Sequence, residues 1–211
     1  MSSFDPFDFN QAIPILNEDT EFFPLLSQQD EDEMSNADIP DALPILPLRN
    51  TVLFPGVVIP ITVGRDKSIK LIKEAYKGDR IIGVVAQKDM NIEDPAFDQL
   101  YEVGTVAMII KVLQMPDGNT TVIIQGKQRF RLDSMIQSEP YIRAKVTRID
   151  EKKTKSGKEF NALISSIKEL ALQIIQLSPQ IPSEAGIAIR NIESPGFLIN
   201  FIPSNLNAPL P

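Results

Sequence analysis

Ser165 and Lys168 stand three residues apart in a stretch of helical periodicity, where a hydroxyl and an amine could meet as nucleophile and base. The simpler reading is two polar residues on the wet face of an amphipathic helix, because nothing beside them could stabilise an oxyanion. The adjacent carboxylates Glu93 and Asp94 are likewise read as loop residues rather than an acid/base pair. The 211 residues contain no histidine and no cysteine. That removes Ser-His-Asp catalysis, histidine bases, cysteine nucleophiles, disulfides and the ordinary zinc sites together. The ten glycines form no G-x-x-x-x-G-K-[ST], no G-x-G-x-x-G and no G-x-S-x-G, so neither a phosphate cradle nor a nucleophile elbow is expected. No catalytic residue, no cofactor-binding residue and no metal ligand is therefore assigned, and no cofactor is expected in this chain.

What remains is chemistry of contact. Lysines cluster at Lys152, Lys153, Lys155 and Lys158, and again at Lys67, Lys70, Lys73 and Lys77. Nucleic-acid binding would want stacking aromatics among them, and only Phe160 lies near the first cluster, so both are read as solvated surface. The apolar residues are more informative. Along residues 106–115, Val106, Met108, Ile110 and Val112 alternate with Ala107, Ile109, Leu113 and Met115, with Lys111 and Gln114 the only polar interruptions. A strand with one wet face should alternate apolar and polar residues. Either both faces are covered, or part of one face is an apolar groove for unfolded polypeptide, to which unbranched methionines adapt well. Candidate contacts on that reading are Met108, Met115 and Ile123, with Met90 and Ile92 in the preceding loop and Phe54 beside Pro55-Gly56.

The elements that must position these residues begin with LPILPLRNTVLFPGVVIPITVG (residues 43–64), an apolar run broken by Pro44, Pro47, Pro55 and Pro60. Proline gives no ladder donor and disrupts helix interiors, so the run reads as short strands meeting at bends, as in a small barrel. DKSIKLIKEAYK (residues 66–77) puts Ile69, Ile72, Ala75 and Tyr76 on one helical face and stops at Gly78. RIIGVVA (80–86) is a buried strand. Residues 101–113 and 120–132 form a hairpin across Pro116-Asp117-Gly118-Asn119, and YIRAKVTRID (141–150) alternates as a half-exposed strand. After the polar EKKTKSGK, apolar residues at Phe160, Leu163, Ile164, Ile167, Leu170, Ala171, Ile174 and Ile175 recur at helical spacing. Ser183 can cap a helix over 184–192, and Ser194 one that has Pro195 first and stops before Pro203.

The formal charge of −7 conceals an asymmetry: the first 42 residues hold 11 acidic and no basic side chains, leaving 17 acidic against 21 basic. Such a tail should be disordered or only locally ordered, unless Phe4, Phe7, Phe9, Phe22 and Phe23 dock it onto the basic remainder. No run reaches the ~18 apolar residues of a membrane span, and the start lacks a basic signal region, so a cytoplasmic protein with no membrane partner is expected.

Residues 43–65, DPAFDQLYEVGTVAMIIKV (94–112), the MPDG turn (115–118), IIQGKQRFRL (123–132) and, more weakly, SPGFLINFIPSNLN (194–207) together resemble the N-terminal domain of Lon, the ATP-dependent protease. The resemblance implies an α+β fold, with a small barrel-like (PUA-like) module followed by a helical one. Expected boundaries are 1–42 for the acidic tail, 43–150 for the β-rich module and 155–207 for the helical module. It implies substrate selection and assembly rather than catalysis in this chain. ATP, Mg and a Ser-Lys dyad would belong to other domains of a parent serine endopeptidase, a hexameric ring in form, acting on misfolded, damaged and regulatory proteins. Partners would be unfolded proteins and other copies in the ring. The alternatives are a stand-alone interaction protein of this domain type and a PUA-like RNA-binding module.

Overall fold

The computed structural model describes residues 39–115, 120–150, 157–178 and 184–204. The expectations for the acidic tail, the 116–119 turn, the polar stretch 151–156, the Ser183 cap and the segment past Ser204 lie outside the described residues.

The proline-punctuated run gives β1 (Ala42–Leu48) and β2 (Val58–Val63), joined by a bend that holds Pro55 and Gly56. Helix α1 (Asp66–Lys77) follows over the expected residues. Gly78 ends it by donating to Glu74 O and Ala75 O, but its φ is −95°, and the left-handed residue is Arg80, at 64°. The guanidinium of Arg80 lies 4.6 Å over the Tyr76 ring, which ties down this uncommon conformation. Then come β3 (Ile81–Ala86), a 3₁₀ turn (Phe97–Gln99), β4 (Val103–Gln114), β5 (Thr120–Gln137) and β6 (Arg143–Arg148).

The strand order is β2-β5-β4-β3-β1-β6, and β6 pairs back onto β5. Five strands thus close a ring, with β2 attached outside it to the first half of β5. The pairings are antiparallel except β1 with β3. Closure depends on β5, which runs to Gln137 rather than ending near Leu132. Lys127 is an extra residue against β4, and Asp133 and Ile136 are extra residues against β6. Each bulge bends and twists the strand, so one 18-residue strand can serve three partners.

Two apolar clusters fill this module. One joins Leu71 and Ile72 of α1 to Leu46, Ile82, Val84, Ala107, Ile109, Val122 and Ile124, while the other surrounds Phe130, which is 0% exposed. Gly104 makes room for that ring: a Cβ there would stand 2.7 Å from Phe130 Cζ and 2.6 Å from Val84 O.

The helical module comprises α2 (Lys158–Leu177), α3 (Glu184–Asn191) and α4 (Pro195–Ser204). The Phe197 N–H donates to Ser194 Oγ at 3.1 Å, the cap read from the sequence. Helix α4 continues through Pro203 instead of stopping before it. A proline in the last turn forfeits a single helical hydrogen bond, and Ser204 Oγ closes the end by donating to Phe201 O at 2.7 Å. The apolar residues of α2 divide between two faces. Ile164, Ile167, Ala171, Leu172 and Ile175 pack against α3 and α4, whereas Leu163, Leu170, Ile174 and Leu177 are exposed.

Asn200 of α4 joins the modules. Its Nδ2 donates to Pro55 O at 3.2 Å and its Oδ1 accepts from Arg129 Nη2 of β5 at 2.6 Å, while Phe54, Val57 and Ile59 pack into the helical cluster.

Candidate functional site

The six candidate contact residues occupy three places. Met108, Met115 and Ile123 belong to the β4–β5 hairpin, where Met108 faces Ile81 and Gln125 and Ile123 faces Lys111 and Pro60. Ile123 is buried, 7% exposed, and Met108 and Met115 are half-buried. Met90 and Ile92 lie in the loop after β3, with Met90 53% exposed and Ile92 half-buried. Phe54 is half-buried against the helical cluster.

Each place has its own support. Buried Gln87, 3% exposed, anchors the Met90 loop: its Nε2 donates to Asp89 O at 2.6 Å and to Ile92 O at 3.0 Å. Its Oε1 accepts from Arg65 Nη2 at 2.6 Å, and Arg49 Nη2 donates to Ile92 O at 3.2 Å. Burial first, and then the nearby Arg49 charge, push the Arg65 pKa below its usual value, while Asp94 and Glu93 oppose the shift. Gln87 therefore links a half-buried cation to a loop that presents a methionine to solvent. Nothing in the sequence marks this role, which belongs to a glutamine at the end of a hydrophobic strand. Replacing Gln87 by Leu should cost about 1–3 kcal/mol, because it strips a partner from Arg65 and from two carbonyls. Urea denaturation would measure the loss, and faster amide exchange should be confined to residues 88–92.

A second polar set joins α1 to the segments around it. Lys67 Nζ reaches Asp94 Oδ2 at 2.7 Å and Glu139 Oε1 at 2.9 Å, and these hydrogen bonds raise its pKa. Tyr141 Oη donates to Glu74 Oε2 at 2.5 Å, and that bond, followed by burial, raises the tyrosine pKa. For both groups the folded pKa exceeds the unfolded one, so their contribution is complete below about pH 10 and is lost as pH rises through the folded values. Thermal melts from pH 8 to 11.5 should show stability falling above about pH 10, with a shallower fall in Tyr141→Phe.

Lys168 Nζ donates to Ile192 O at 2.5 Å, just beyond α3, while Ser165 is exposed. The pair is thus divided between helix packing and solvent. Lys70, Lys73 and Lys77 are exposed on α1, and the neighbouring Tyr76 ring is covered by Arg80. Among the described residues no group of three or more acidic side chains is placed to hold a metal ion.

The closed barrel thus carries a three-helix unit, with apolar side chains partly exposed at separate places and polar groups committed to holding loops. The family model of the ATP-dependent protease La (LON) substrate-binding domain matches residues 42–211. This chain belongs to that family. Its Lon-type relatives include the Lon protease of Flavobacterium johnsoniae, 55% identical over 199 residues, covering 94% of this chain and 24% of that protein. The Lon protease of Cytophaga hutchinsonii is 52% identical over 194 residues, 92% of this chain and 24% of that protein. The chain thus spans about a quarter of the length of these relatives. The N-terminal domain of Mycobacterium avium complex Lon protease shares the fold, with a TM-score of 0.61 at 21% identity over 76% of this chain and 80% of that one.

The Lon family match covers both the barrel and the helical unit, consistent with the α+β reading of the sequence. No described helix is long and apolar enough to cross a membrane.

Proposed function

We propose that this chain is the non-catalytic substrate-recognition domain of a Lon-type ATP-dependent serine protease acting on misfolded, damaged and regulatory proteins. The observation that carries the reading is the match of residues 42–211 to a substrate-binding domain, over the same residues that build the barrel and its helices. Met90 offers an exposed apolar contact on a loop fixed from behind, and Ile92, Met108, Met115 and Phe54 offer partly exposed ones. Ile123 supports the hairpin from within. Weak, adaptable contacts of this kind gain strength when several copies engage one unfolded chain.

In this reading ATP, Mg and the Ser-Lys dyad belong to other domains of a cytoplasmic ring, a hexamer, and this chain binds no cofactor of its own. The exposed stripe of Leu163, Leu170, Ile174 and Leu177 supports assembly, since apolar residues spaced seven, four and three apart along one helix face form a seam suited to another helix.

Added in excess to a full-length Lon protease, this chain should slow degradation of an unfolded protein by sequestering it. Hydrolysis of a short fluorogenic peptide should be unchanged. Equal slowing of both substrates, or of neither, would contradict the proposal.

A further inference from the structure

Strand β4 loses one of its neighbours part-way along. Its residues 105–108 pair with β3 on one side and β5 on the other, and the Ile109 N–H donates to Arg80 O at 2.8 Å. Beyond that point Lys111, Val112, Leu113 and Gln114 pair only with β5, opposite Ile123, Val122, Thr121 and Thr120. Among the described residues nothing pairs with the opposite edge. Ile110 is the extra residue of a bulge and is 42% exposed, Lys111 and Gln114 are exposed, and Val112, Leu113 and Met115 are half-buried.

We infer that this edge accepts an extended segment of an unfolded polypeptide as an added β-strand, an assignment that rests on the substrate-recognition role proposed above. The edge offers backbone donors and acceptors over about 15 Å, and their complement is another extended backbone. Native proteins keep those groups paired among themselves, whereas an unfolded segment has them free. Main-chain pairing is also indifferent to sequence, as a receptor for many unrelated damaged chains requires. Val112, Leu113, Met115 and Ile110 then favour apolar segments over polar ones.

A second copy of this chain is the poorer occupant. Pairing two such edges would bring two Lys111 ammonium groups into one short ladder and set the Ile110 bulges against each other, the devices by which edge strands avoid their own kind. Strand β2, which among the described residues is also paired on one side only, carries Pro60 and so lacks one amide donor.

Selective N-methylation of a peptide tests the inference, since it deletes backbone donors and leaves side chains alone. A seven-residue apolar peptide that binds the chain is made in three forms: unmethylated, methylated at odd amides and methylated at even amides. Fluorescence anisotropy should show one methylated form weakened roughly tenfold or more and the other close to the parent, because an added strand turns alternate amides toward its partner. Amide exchange of the protein should slow within residues 110–114 on adding the parent peptide. Equal behaviour of the two methylated forms, or protection located elsewhere, overturns strand addition and leaves the substrate-recognition reading standing. So does concentration-dependent protection of residues 110–114 without peptide, which would mark the edge as a self-contact. If neither the parent peptide nor an unfolded protein binds, both readings fall.

Discussion

Phe130→Ala should destabilise the domain by about 3–5 kcal/mol, a large part of the total stability of a domain this size. The ring is fully buried among Leu43, Ile45, Val85, Leu100, Val106, Ile142 and Ala144, so residues from β1, β3, β4 and the 141–150 segment all border the void its removal would leave. The approach of Gly83 and Gly104 makes collapse difficult, because those backbones already lie at contact distance and carry no side chain to swing inward. Chemical denaturation of the variant should show a much lower midpoint with little change in slope. A loss under about 1 kcal/mol would show that the barrel does not close around this residue.

Gly126→Ala should rank second, at about 2–4 kcal/mol, and its damage should spread to the helices. A Cβ at this position would fall 2.2 Å from Phe54 O and 3.0 Å from the Phe54 carbonyl carbon, which are backbone atoms that cannot rotate away. The bend must retreat, and with it go the bonds from Gly56 N to Gly126 O and from Gly126 N to Val57 O, both 2.9 Å. Pro55 O is also the acceptor for Asn200, so the seat of α4 on the barrel moves as well. Hydrogen exchange should therefore quicken across 195–204 in this variant, a helix far from Gly126 in sequence. A melting curve indistinguishable from the parent's would refute the close packing of this bend on β5.

These two positions also show where the sequence was readable and where it was not. Local signals were sufficient for α1, whose apolar spacing and Gly78 fix both ends, and for the Ser194-Pro195 start of α4. Prolines marked the boundary between β1 and β2. The path of β5 was not legible, because bulges at Lys127, Asp133 and Ile136 shift the alternation that reveals a strand. The bulge at Ile110 likewise breaks the simple two-face reading of β4: the strand is buried from Gly104 to Ile109 apart from half-buried Met108, and it is more open beyond that point. Residue type alone could not separate Ile123, buried between β2 and β4, from Met90, exposed in a loop, since exposure is decided by partners distant in sequence. For the same reason Gln87, Arg129 and Asn200, which hold the loops and helices in place, gave no sign of themselves. The apolar residues of α2 were visible as a helix, but not their division between a packed face and an open one.

In its proposed role this chain distinguishes unfolded from folded polypeptide by contact alone. Titration of one test protein in its native form and in a permanently unfolded, chemically blocked form measures that distinction directly. Saturable, weak binding of the unfolded form alone is expected, with Met90→Glu reducing the affinity while leaving the melting temperature unchanged. Equal affinity for the two forms, or indifference to both alongside salt-sensitive binding of RNA, would contradict that role.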